Sequence, residues 1–173
     1  MHPQESYLVL YNIMKQANFG FLLRTATAFG VAEIIIIGKR AFEIGGACGT
    51  ANRTPKRHFH KLPEAVEYLR QREVAICGVE ISADAIPIQQ CRFPNSTAFM
   101  VGNEGVGLTE SQNQFCDFRV YIPQYGAVES INVNVAAGIV LHHFAIRAGH
   151  IENSRADLKF EFAKRPKHSA PKP

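Results

Sequence analysis

The sequence predicts an α/β domain with a mostly parallel sheet and helices on both of its faces. Apolar runs such as EIIIIG at residues 33–38 lack polar alternation, which is typical of parallel strands covered on both sides. Segments with helical periodicity separate these runs, and such alternation favours parallel pairing. The chain has 173 residues, 46% of them hydrophobic and 20% charged, which suffices for one domain with its own core.

The first half of the chain is predicted to contain two strands and two helices. YLVLYNI, residues 7–13, is a β-prone apolar run, and EIIIIG follows as the second strand. Between them, residues 21–29 place apolar and small side chains at helical spacing, and Gly30 provides a C-cap. Residues 39–61 are rich in glycine, proline and polar side chains, so we interpret them mainly as loop. A helix over residues 63–72 comes next, with proline in its first turn.

The second half continues the alternation. VAICGVEI at residues 74–81 and TAFMV at residues 97–101 are predicted as the third and fourth strands, and a short helix begins at Thr109. FRVYIP forms the last strand, which Pro123 ends because proline lacks the N–H that a strand ladder needs. A polar loop then leads into a long final helix over residues 131–149.

The junction between the last strand and the last helix is a candidate ligand site. Open α/β sheets bind ligands outside the carboxyl ends of their strands, where this loop is expected to lie. The sequence equally allows a helix that only buries its small-residue face, with Ser130 as its N-cap. Both interpretations stand at this point.

Charge divides the chain into two parts. Residues 151–173 carry six Lys/Arg and three acids, which gives +3 of the total +4 and leaves +1 for residues 1–150. We predict one domain over residues 1–150 and a basic tail over residues 151–173 that is at least partly disordered. A basic cluster inside the domain either faces phosphates or belongs to a solvated loop. Its members are Lys39, Arg40, Arg53, Lys56, Arg57 and Lys61.

The cysteines favour a reducing compartment. The four of them are widely spaced and form no CxxC pair, so the sequence indicates neither a disulfide framework nor a zinc site. His58 and His60 lack a third ligand at suitable spacing, and we expect no metal. The sequence also lacks an apolar run of membrane length and a signal-peptide pattern at its start. We therefore expect a cytoplasmic location, with a nucleus or organelle left open.

Three loops that follow predicted strands carry polar residues that a core does not need. They are NFGFLLR at residues 18–24, GNEGVGL at residues 102–108 and IPQYGAVESINV at residues 122–133. The glycines of the second loop do not fit G-x-G-x-x-G, and no Lys-Ser/Thr pair follows them. A dinucleotide fingerprint and a P-loop are therefore not supported.

Together these loops resemble the three signature motifs of the SpoU (TrmH-type) branch of the SPOUT RNA 2′-O-ribose methyltransferases. The first motif is an Asn, a nearby Gly and an Arg six residues after the Asn, and the second is Gly-Asn-Glu-Gly-x-Gly-Leu. The third is Ile-Pro, a glycine-containing loop and Ser-Leu-Asn-Val, with Ile131 here in place of Leu. The resemblance covers residues 7–149, and we expect none of the separate N-terminal RNA-binding domain that some members carry.

The resemblance implies an unusual fold and a specific reaction. Family members form a deep trefoil knot near the C-terminus, built from the second and third motif loops, in which S-adenosylmethionine sits. The implied reaction is methyl transfer from this cofactor to a ribose 2′-hydroxyl of tRNA or rRNA. The implied assembly is a homodimer. The last helix would contribute to its interface through Ile139, His142, His143 and Ile146.

The resemblance also implies the site residues. The cofactor would be contacted, largely through backbone, by Gly102, Ile122 and Ile131, with Glu80 as a looser candidate. The implied catalytic residues are Asn18, Arg24, Glu104, Ser130 and Asn132. The basic residues expected to bind RNA are Arg53, Lys56 and Arg57. The alternatives are helix capping for Asn18 and Ser130, a surface or ion-paired side chain for Arg24, and a turn for Glu104.

Two roles are open for Arg24. The family mechanism assigns its counterpart as the general base, activated by the substrate phosphate, that removes the hydroxyl proton. A guanidinium, however, has a pKa above about 12 and scarcely deprotonates in proteins, and a nearby phosphate favours its charged form. In the second role Arg24 clamps the phosphate bidentately while another acceptor takes the proton.

Two other functional classes compete with this hypothesis. One is a non-catalytic RNA-binding module with the same fold, against which the intact polar residues of all three motifs argue. The other is a nucleotide-binding enzyme that uses GNEGVG for phosphate. A nucleotide-binding enzyme would be protected by bound nucleotides, whereas S-adenosylhomocysteine would not protect it.

Overall fold

The computed structural model describes residues 4–11, 16–38, 53–102 and 107–152, and it places seven strands and four α-helices within them. The first half contains β1 (Ser6–Tyr11), α1 (Gln16–Ala28), β2 (Glu33–Ile37), β3 (Lys56–Phe59) and α2 (Leu62–Arg70). The second half contains β4 (Ala75–Val79), β5 (Ile86–Pro87), a 3-10 turn (Ile88–Gln90), β6 (Thr97–Val101), α3 (Glu110–Asn113), β7 (Phe118–Tyr121) and α4 (Val133–Arg147).

The strands form one sheet in the order β3-β2-β1-β6-β4-β7-β5. Every pairing among the described strands is parallel. At its centre Leu8 of β1 pairs with Ile34 of β2 on one side and with Phe99 of β6 on the other. Parallel neighbours need crossover connections, which the segments between the strands provide. The predicted α/β class with a mostly parallel sheet is confirmed.

Helices cover both faces of the sheet, as predicted. On one face α1 and α4 pack against the strands, and Leu8, Leu22 and Phe144 belong to the core cluster there. On the other face α2 packs, and Val9 and Leu69 belong to a second cluster. Leu8 and Val9 are successive residues of β1, and successive strand residues point to opposite faces. The continuous apolar run of β1 therefore supplies both cores.

The interpretation of residues 39–61 mainly as loop is wrong for its last part, which forms β3. This strand lies at the edge of the sheet, and its side chains are exposed or half-buried. An edge strand has a neighbour on one side only, so KRHF lacks the apolar run that marks the central strands. β5 has two residues and is too short to leave a periodic signal. Residues 39–52 lie outside the described part of the chain.

Neither of the two N-caps considered as alternatives to catalytic roles, Ser130 and Asn18, is an N-cap in the structure. Asn132, not Ser130, is the N-cap of α4, because its Oδ1 accepts a hydrogen bond from the Asn134 N–H at 2.8 Å. A cap side chain reaches an N–H only two or three residues further on, so Ser130 precedes the helix by too much. Asn18 lies inside the first turn of α1, which begins at Gln16, rather than at its cap.

Two expectations about the C-terminal region stay predictions. The trefoil knot would involve the second motif loop, of which residues 103–106 lie outside the described part of the chain. The basic tail also lies outside it from residue 153 onward. The boundary of the domain at residue 150 therefore remains an inference from composition.

Three findings on the described residues concern the chemical environment. None of their helices is long and apolar enough to cross a membrane. Three of their cysteines, Cys77, Cys91 and Cys116, are free thiols. Within the same residues no group of three or more His, Cys, Asp or Glu side chains is arranged to hold a metal ion.

Candidate active site

A cleft of about 570 Å³ opens at the carboxyl ends of three strands of the sheet. Val79 of β4, Val101 of β6 and Tyr121 of β7 line it from the sheet side, and the first turns of α1 and α4 line it from the helix side. Open α/β sheets bind ligands at this edge, and the volume lies in the usual range of small-molecule sites.

Gly102 allows the second motif loop to close on itself. A Cβ at this position would lie 2.6 Å from the Gly107 carbonyl carbon and 2.9 Å from the Leu108 nitrogen. Both neighbours are backbone atoms, so a side chain could be accommodated only if the loop moved. Gly107 itself has a φ of +68°, in the left-handed region that favours glycine. Gly102 and Gly107 therefore serve backbone geometry beside the cleft.

Glu80 joins the end of β4 to the same loop. Its Oε2 accepts a hydrogen bond from the Leu108 N–H at 2.9 Å, and its Oε1 accepts one from the Asn113 Nδ2 at 3.4 Å. The carboxylate lines the cleft as well. Glu80 thus holds the second motif loop in place, and it also lines the cleft in which a ligand would bind.

Asn132 joins α4 to α1 at the mouth of the cleft. Its Nδ2 donates a hydrogen bond to Asn18 Oδ1 at 3.2 Å, while its Oδ1 caps α4. About two turns further along α1, Thr25 donates from its hydroxyl to Asn134 Oδ1 at 2.7 Å. Asn18 is buried, with 7% of its surface exposed. The Asn132–Asn18 hydrogen bond therefore connects the first and third motifs directly.

The charge of the cleft disfavours a phosphate-rich ligand. Its described lining includes two carboxylates, Glu80 and Glu129, and includes no Lys, Arg or His. Carboxylates without a neighbouring cation repel phosphates and attract cationic groups. This arrangement weakens the hypothesis that GNEGVG binds the phosphates of a nucleotide.

The family follows from a comparison of the sequence with known families. Residues 5–142 match the model of the SpoU rRNA Methylase family, which is more than half of the chain. The chain belongs to the SpoU rRNA methylase family. The resemblance inferred from the three motifs is thereby confirmed.

Curated SpoU relatives are about a third identical to the chain. It is 36% identical over 140 residues to the 23S rRNA (guanosine-2′-O-)-methyltransferase RlmB of Coxiella burnetii, covering 78% of this chain and 56% of that protein. It is 32% identical over 142 residues to the 23S rRNA (guanosine(2553)-2′-O)-methyltransferase RlmP of Bacillus subtilis. That match covers 79% of this chain and 56% of the relative. The chain thus spans little more than half the length of these relatives.

Solved structures confirm the SpoU fold. The AdoMet-bound rRNA methyltransferase from Sinorhizobium meliloti superposes with a TM-score of 0.78 at 23% identity, over 88% of this chain and 60% of that one. The A. aeolicus TrmH/SpoU tRNA modifying enzyme superposes with a TM-score of 0.76 at 23% identity. The superposition covers 84% of this chain and 76% of that one. At this level of identity the likeness establishes the architecture of the sheet and helices.

Most of the residues expected from the SpoU motifs meet in the cleft. They come from both ends of the described sequence and from the ends of separate strands and helices. The ones that line it are Asn18, Glu80, Gly102, Ile122, Ser130, Ile131 and Asn132. Their convergence is a property of the fold and not of the local sequence.

Two of the expected catalytic residues are not placed in this cleft. Arg24 is exposed on α1 and is not among the residues that line the cleft. It follows Asn18 by six residues, which on an α-helix is a rotation of about 240° away from the Asn18 side chain. Glu104 lies outside the described part of the chain. The catalytic roles of both residues stay predictions.

The three basic residues expected to bind RNA lie at the other edge of the sheet, on or just before β3. β1 and β2 separate this strand from β6, the nearest strand that lines the cleft. Arg57 is exposed over 48% of its side chain and also makes contacts within the fold: its Nε forms an ion pair with Glu33 Oε1 at 3.0 Å, and its guanidinium lies 4.6 Å from the Tyr68 ring centroid. Arg53 and Lys56 are exposed.

Tyr68 completes this ion-paired group. Its hydroxyl donates a hydrogen bond to the second oxygen of the Glu33 carboxylate. Burial, and next the bond to Glu33, raise the pKa of Tyr68 above its ordinary value. Arg57 therefore stabilises the β2–β3 edge, and only part of its guanidinium is available to an RNA phosphate.

Motif reasoning does not single out four residues at or beside the cleft. Gln124 and Glu129 line it, while Asn113 and Arg119 lie behind Glu80. The Gln124 Oε1 is a buried acceptor for which the described structure provides no donor. Buried acceptors are normally paired, so this atom marks Gln124 as a candidate ligand contact. The only sequence signal is a polar residue directly after the Ile-Pro of the third motif.

Proposed function

We propose that the chain carries an S-adenosylmethionine-dependent methyltransferase activity that modifies a ribose 2′-hydroxyl of rRNA or tRNA. The observation that carries the proposal is the convergence of residues from three separate motif loops on one cleft, including Asn18, Gly102, Ile122 and Asn132. The names of the curated relatives, which act on guanosines of 23S rRNA, support the RNA substrate. The cysteines that the structure describes are free, which supports a reducing, cytoplasmic setting.

The cleft suits the proposed cofactor. S-adenosylmethionine is a sulfonium cation with an adenosine part, and the cleft combines apolar walls such as Ile122 and Ile131 with the carboxylates of Glu80 and Glu129. Ligand sites of this class join mostly apolar surface to a few well-placed polar groups. When bound, the cofactor supplies the methyl group as an electrophile. The protein residues hold it and the ribose hydroxyl in line.

Arg24 is proposed to act on the RNA side of the reaction. Its charged, planar guanidinium would bind the phosphate next to the target ribose. The position of that phosphate would then set the position of the 2′-hydroxyl. Ser130 and Asn132 line the cleft and are proposed to orient the hydroxyl by hydrogen bonds. With Arg24 in this role another acceptor takes the proton of the 2′-hydroxyl, since Arg24 could take it only as a neutral guanidinium.

A homodimer is proposed because α1 and α4 leave apolar side chains uncovered on the outside of the domain. Phe21 of α1 is 48% exposed, and Val135, Ile139 and Ile146 of α4 are 49%, 38% and 63% exposed. Arg24 follows Phe21 by almost one turn of α1. An interface formed by these helices would place Arg24 at the partner, where it can reach the partner's cleft.

RNA binding outside the cleft is proposed to involve Arg53 and Lys56, with a partial contribution from Arg57. Their exposed positive charges lie on one edge strand and the turn before it, and two copies in a dimer would enlarge the basic surface. The basic tail over residues 151–173 is proposed to add to the same field. These contacts position RNA and carry no sequence information by themselves.

A competition experiment separates the proposed function from its alternatives. Calorimetry should detect binding of S-adenosylhomocysteine, and ATP or GTP at millimolar concentration should not displace it. Displacement by nucleotides would favour the nucleotide-binding enzyme instead. RNA binding without any affinity for S-adenosylhomocysteine would favour the non-catalytic RNA-binding module.

A further inference from the structure

Arg119 fixes the orientation of the Asn113 side chain. Its Nε donates a hydrogen bond to Asn113 Oδ1 at 3.0 Å, and its Nη2 donates to the Asn113 backbone oxygen at 2.8 Å. A guanidinium has donors only, so the amide end that faces it must be the oxygen. The two ends of an Asn amide are otherwise hard to distinguish. Here the charge of Arg119 decides between them.

The nitrogen of Asn113 consequently faces Glu80. Nδ2 lies 3.4 Å from Glu80 Oε1 and 3.4 Å from the Leu108 carbonyl oxygen, and it has one hydrogen for each. The second Glu80 oxygen accepts from the Leu108 N–H at 2.9 Å. Two donors thus approach the carboxylate from the side of the 107–113 segment and set its plane.

The chain of contacts ends at the surface. The Arg119 Nη1 pairs with Asp84 Oδ2 at 2.7 Å, and 64% of the Asp84 side chain is exposed while only 21% of the Arg119 side chain is. Glu80 therefore stands at the inner end of the series Asp84, Arg119, Asn113, Glu80. Neither of the two ion pairs found among the described residues involves Glu80.

Glu80 retains the capacity to bind a ligand. An ionised carboxylate has about four acceptor positions, of which the Leu108 N–H and Asn113 take two. The side chain is half-buried and lines the cleft. A carboxylate whose orientation is set in advance binds a hydrogen-bond donor without first having to be ordered.

We propose that Asn113 and Arg119 are positioning residues that hold Glu80 as the acceptor for a hydrogen-bond donor of the cofactor, either a ribose hydroxyl or the amino-acid ammonium. This inference rests on the proposed function, because it takes S-adenosylmethionine as the ligand of the cleft. It extends the site to two residues that are not among those lining the cleft.

Asn113→Asp tests the inference because it separates the two contacts of Asn113. The carboxylate keeps an oxygen on Arg119 and replaces the donor that faces Glu80 by a second oxygen, which repels the Glu80 carboxylate. We expect the affinity for S-adenosylhomocysteine to fall roughly tenfold. Asn95→Asp is the matched control: it makes the same chemical change at an exposed position before β6, at the opposite end of that strand from the cleft.

The double variant Asn113→Asp/Glu80→Gln distinguishes positioning from a purely structural role. Glu80→Gln alone leaves one acceptor oxygen for two donors, the Leu108 N–H and the Asn113 Nδ2. It should therefore also weaken S-adenosylhomocysteine binding roughly tenfold. Together the substitutions exchange donor and acceptor between positions 80 and 113, so the double variant should bind more tightly than either single variant. Recovery is incomplete, because Asn113→Asp still leaves the Leu108 carbonyl without its donor. A repeat with 5′-methylthioadenosine, which keeps the ribose and lacks the amino acid, tells which donor Glu80 binds.

The outcomes of this experiment are distinct. Additive losses in the double variant would overturn the inference, as would an Asn113→Asp affinity within about twofold of the unchanged chain. In either case the proposed function stands. Absence of S-adenosylhomocysteine binding by the unchanged chain would instead overturn the proposed function, and the inference with it.

Discussion

Asn132 Nδ2 donates a hydrogen bond to Asn18 Oδ1 at 3.2 Å, across a separation of 114 residues in the sequence. The Asn132 Oδ1 faces the Asn134 N–H, and this donor fixes the orientation of the amide. One side chain thus caps α4, holds α1 beside it and lines the cleft. Structural and proposed catalytic roles coincide in the same residue.

We predict that two substitutions of Asn132 separate these roles. Asn132→Ala removes the cap and the bridge to Asn18, and it should lower the free energy of unfolding by about 1–2 kcal/mol. Asn132→Asp keeps the cap oxygen and adds a charge that favours a helix N-terminus, so most of the stability should remain while methyl transfer falls. Urea denaturation and an activity assay measure the two effects. Equal stability of the alanine variant and the unchanged chain would show that the bridge contributes little.

Gly102→Ala is predicted to disturb the second motif loop and to weaken S-adenosylhomocysteine binding. Its Cβ would lie 2.6 Å from the Gly107 backbone, so the backbone beside the cleft must shift to accommodate it. Gly126→Ala is the control, since a Cβ there has no neighbour within 4 Å. Calorimetry on both variants is the measurement. Unchanged affinity in Gly102→Ala would exclude this loop from the cofactor site.

Arg24→Ala is predicted to abolish methyl transfer while cofactor binding stays near normal. Arg24 is exposed and lies outside the cofactor cleft of its own chain. Arg24→Lys should rescue activity poorly if a planar fork is required, because lysine offers a point charge. Good rescue by lysine would mean that charge alone matters.

Mixed dimers test whether Arg24 serves the partner's cleft. One copy would carry Arg24→Ala and the other Gly102→Val, each inactive as a homodimer. If Arg24 crosses the interface, the mixture restores one complete site per dimer and recovers part of the activity. If Arg24 acts within its own chain, both sites stay defective and the mixture remains inactive.

Neutralising Arg53, Lys56 and Arg57 together is predicted to weaken RNA binding without changing cofactor affinity. Each phosphate contact that is lost should reduce the slope of log affinity against log salt by about 1. Arg57→Ala should in addition destabilise the fold, because it leaves Glu33 without its ion-pair partner. The double variant Arg53→Ala/Lys56→Ala spares that pair and is the cleaner test. Unchanged RNA affinity in both the triple and the double variant would show that RNA binds to another surface.

The parts of the site that lie in contiguous motifs could be predicted from the sequence. The glycine spacing of the second motif marks Gly102, and the third motif marks Asn132 as a site residue. The sequence interpretation places the N-cap of α4 at Ser130, whereas the structure has it at Asn132. The central strands could be predicted because burial on both faces demands unbroken apolar runs. β3 could not, since its edge position leaves KRHF polar.

The supporting residues could not be predicted, because their roles arise only in three dimensions. Asn113 lies in α3 and Arg119 in β7, and neither position has a periodicity or motif that marks it. Their partner Glu80 stands 33 residues before Asn113. Hydrogen bonds of this range depend on strand order, in which β4 and β7 are neighbours.

Methyl transfer to a ribose can be measured with S-adenosylmethionine labelled in its methyl group. Purified chain and total cellular RNA are incubated, and the labelled nucleosides are identified by mass spectrometry. We expect the label on a 2′-O-methyl ribonucleoside, and we expect Arg24→Ala to abolish it. Label on a base, or none despite binding of cofactor and RNA, would contradict the proposed function.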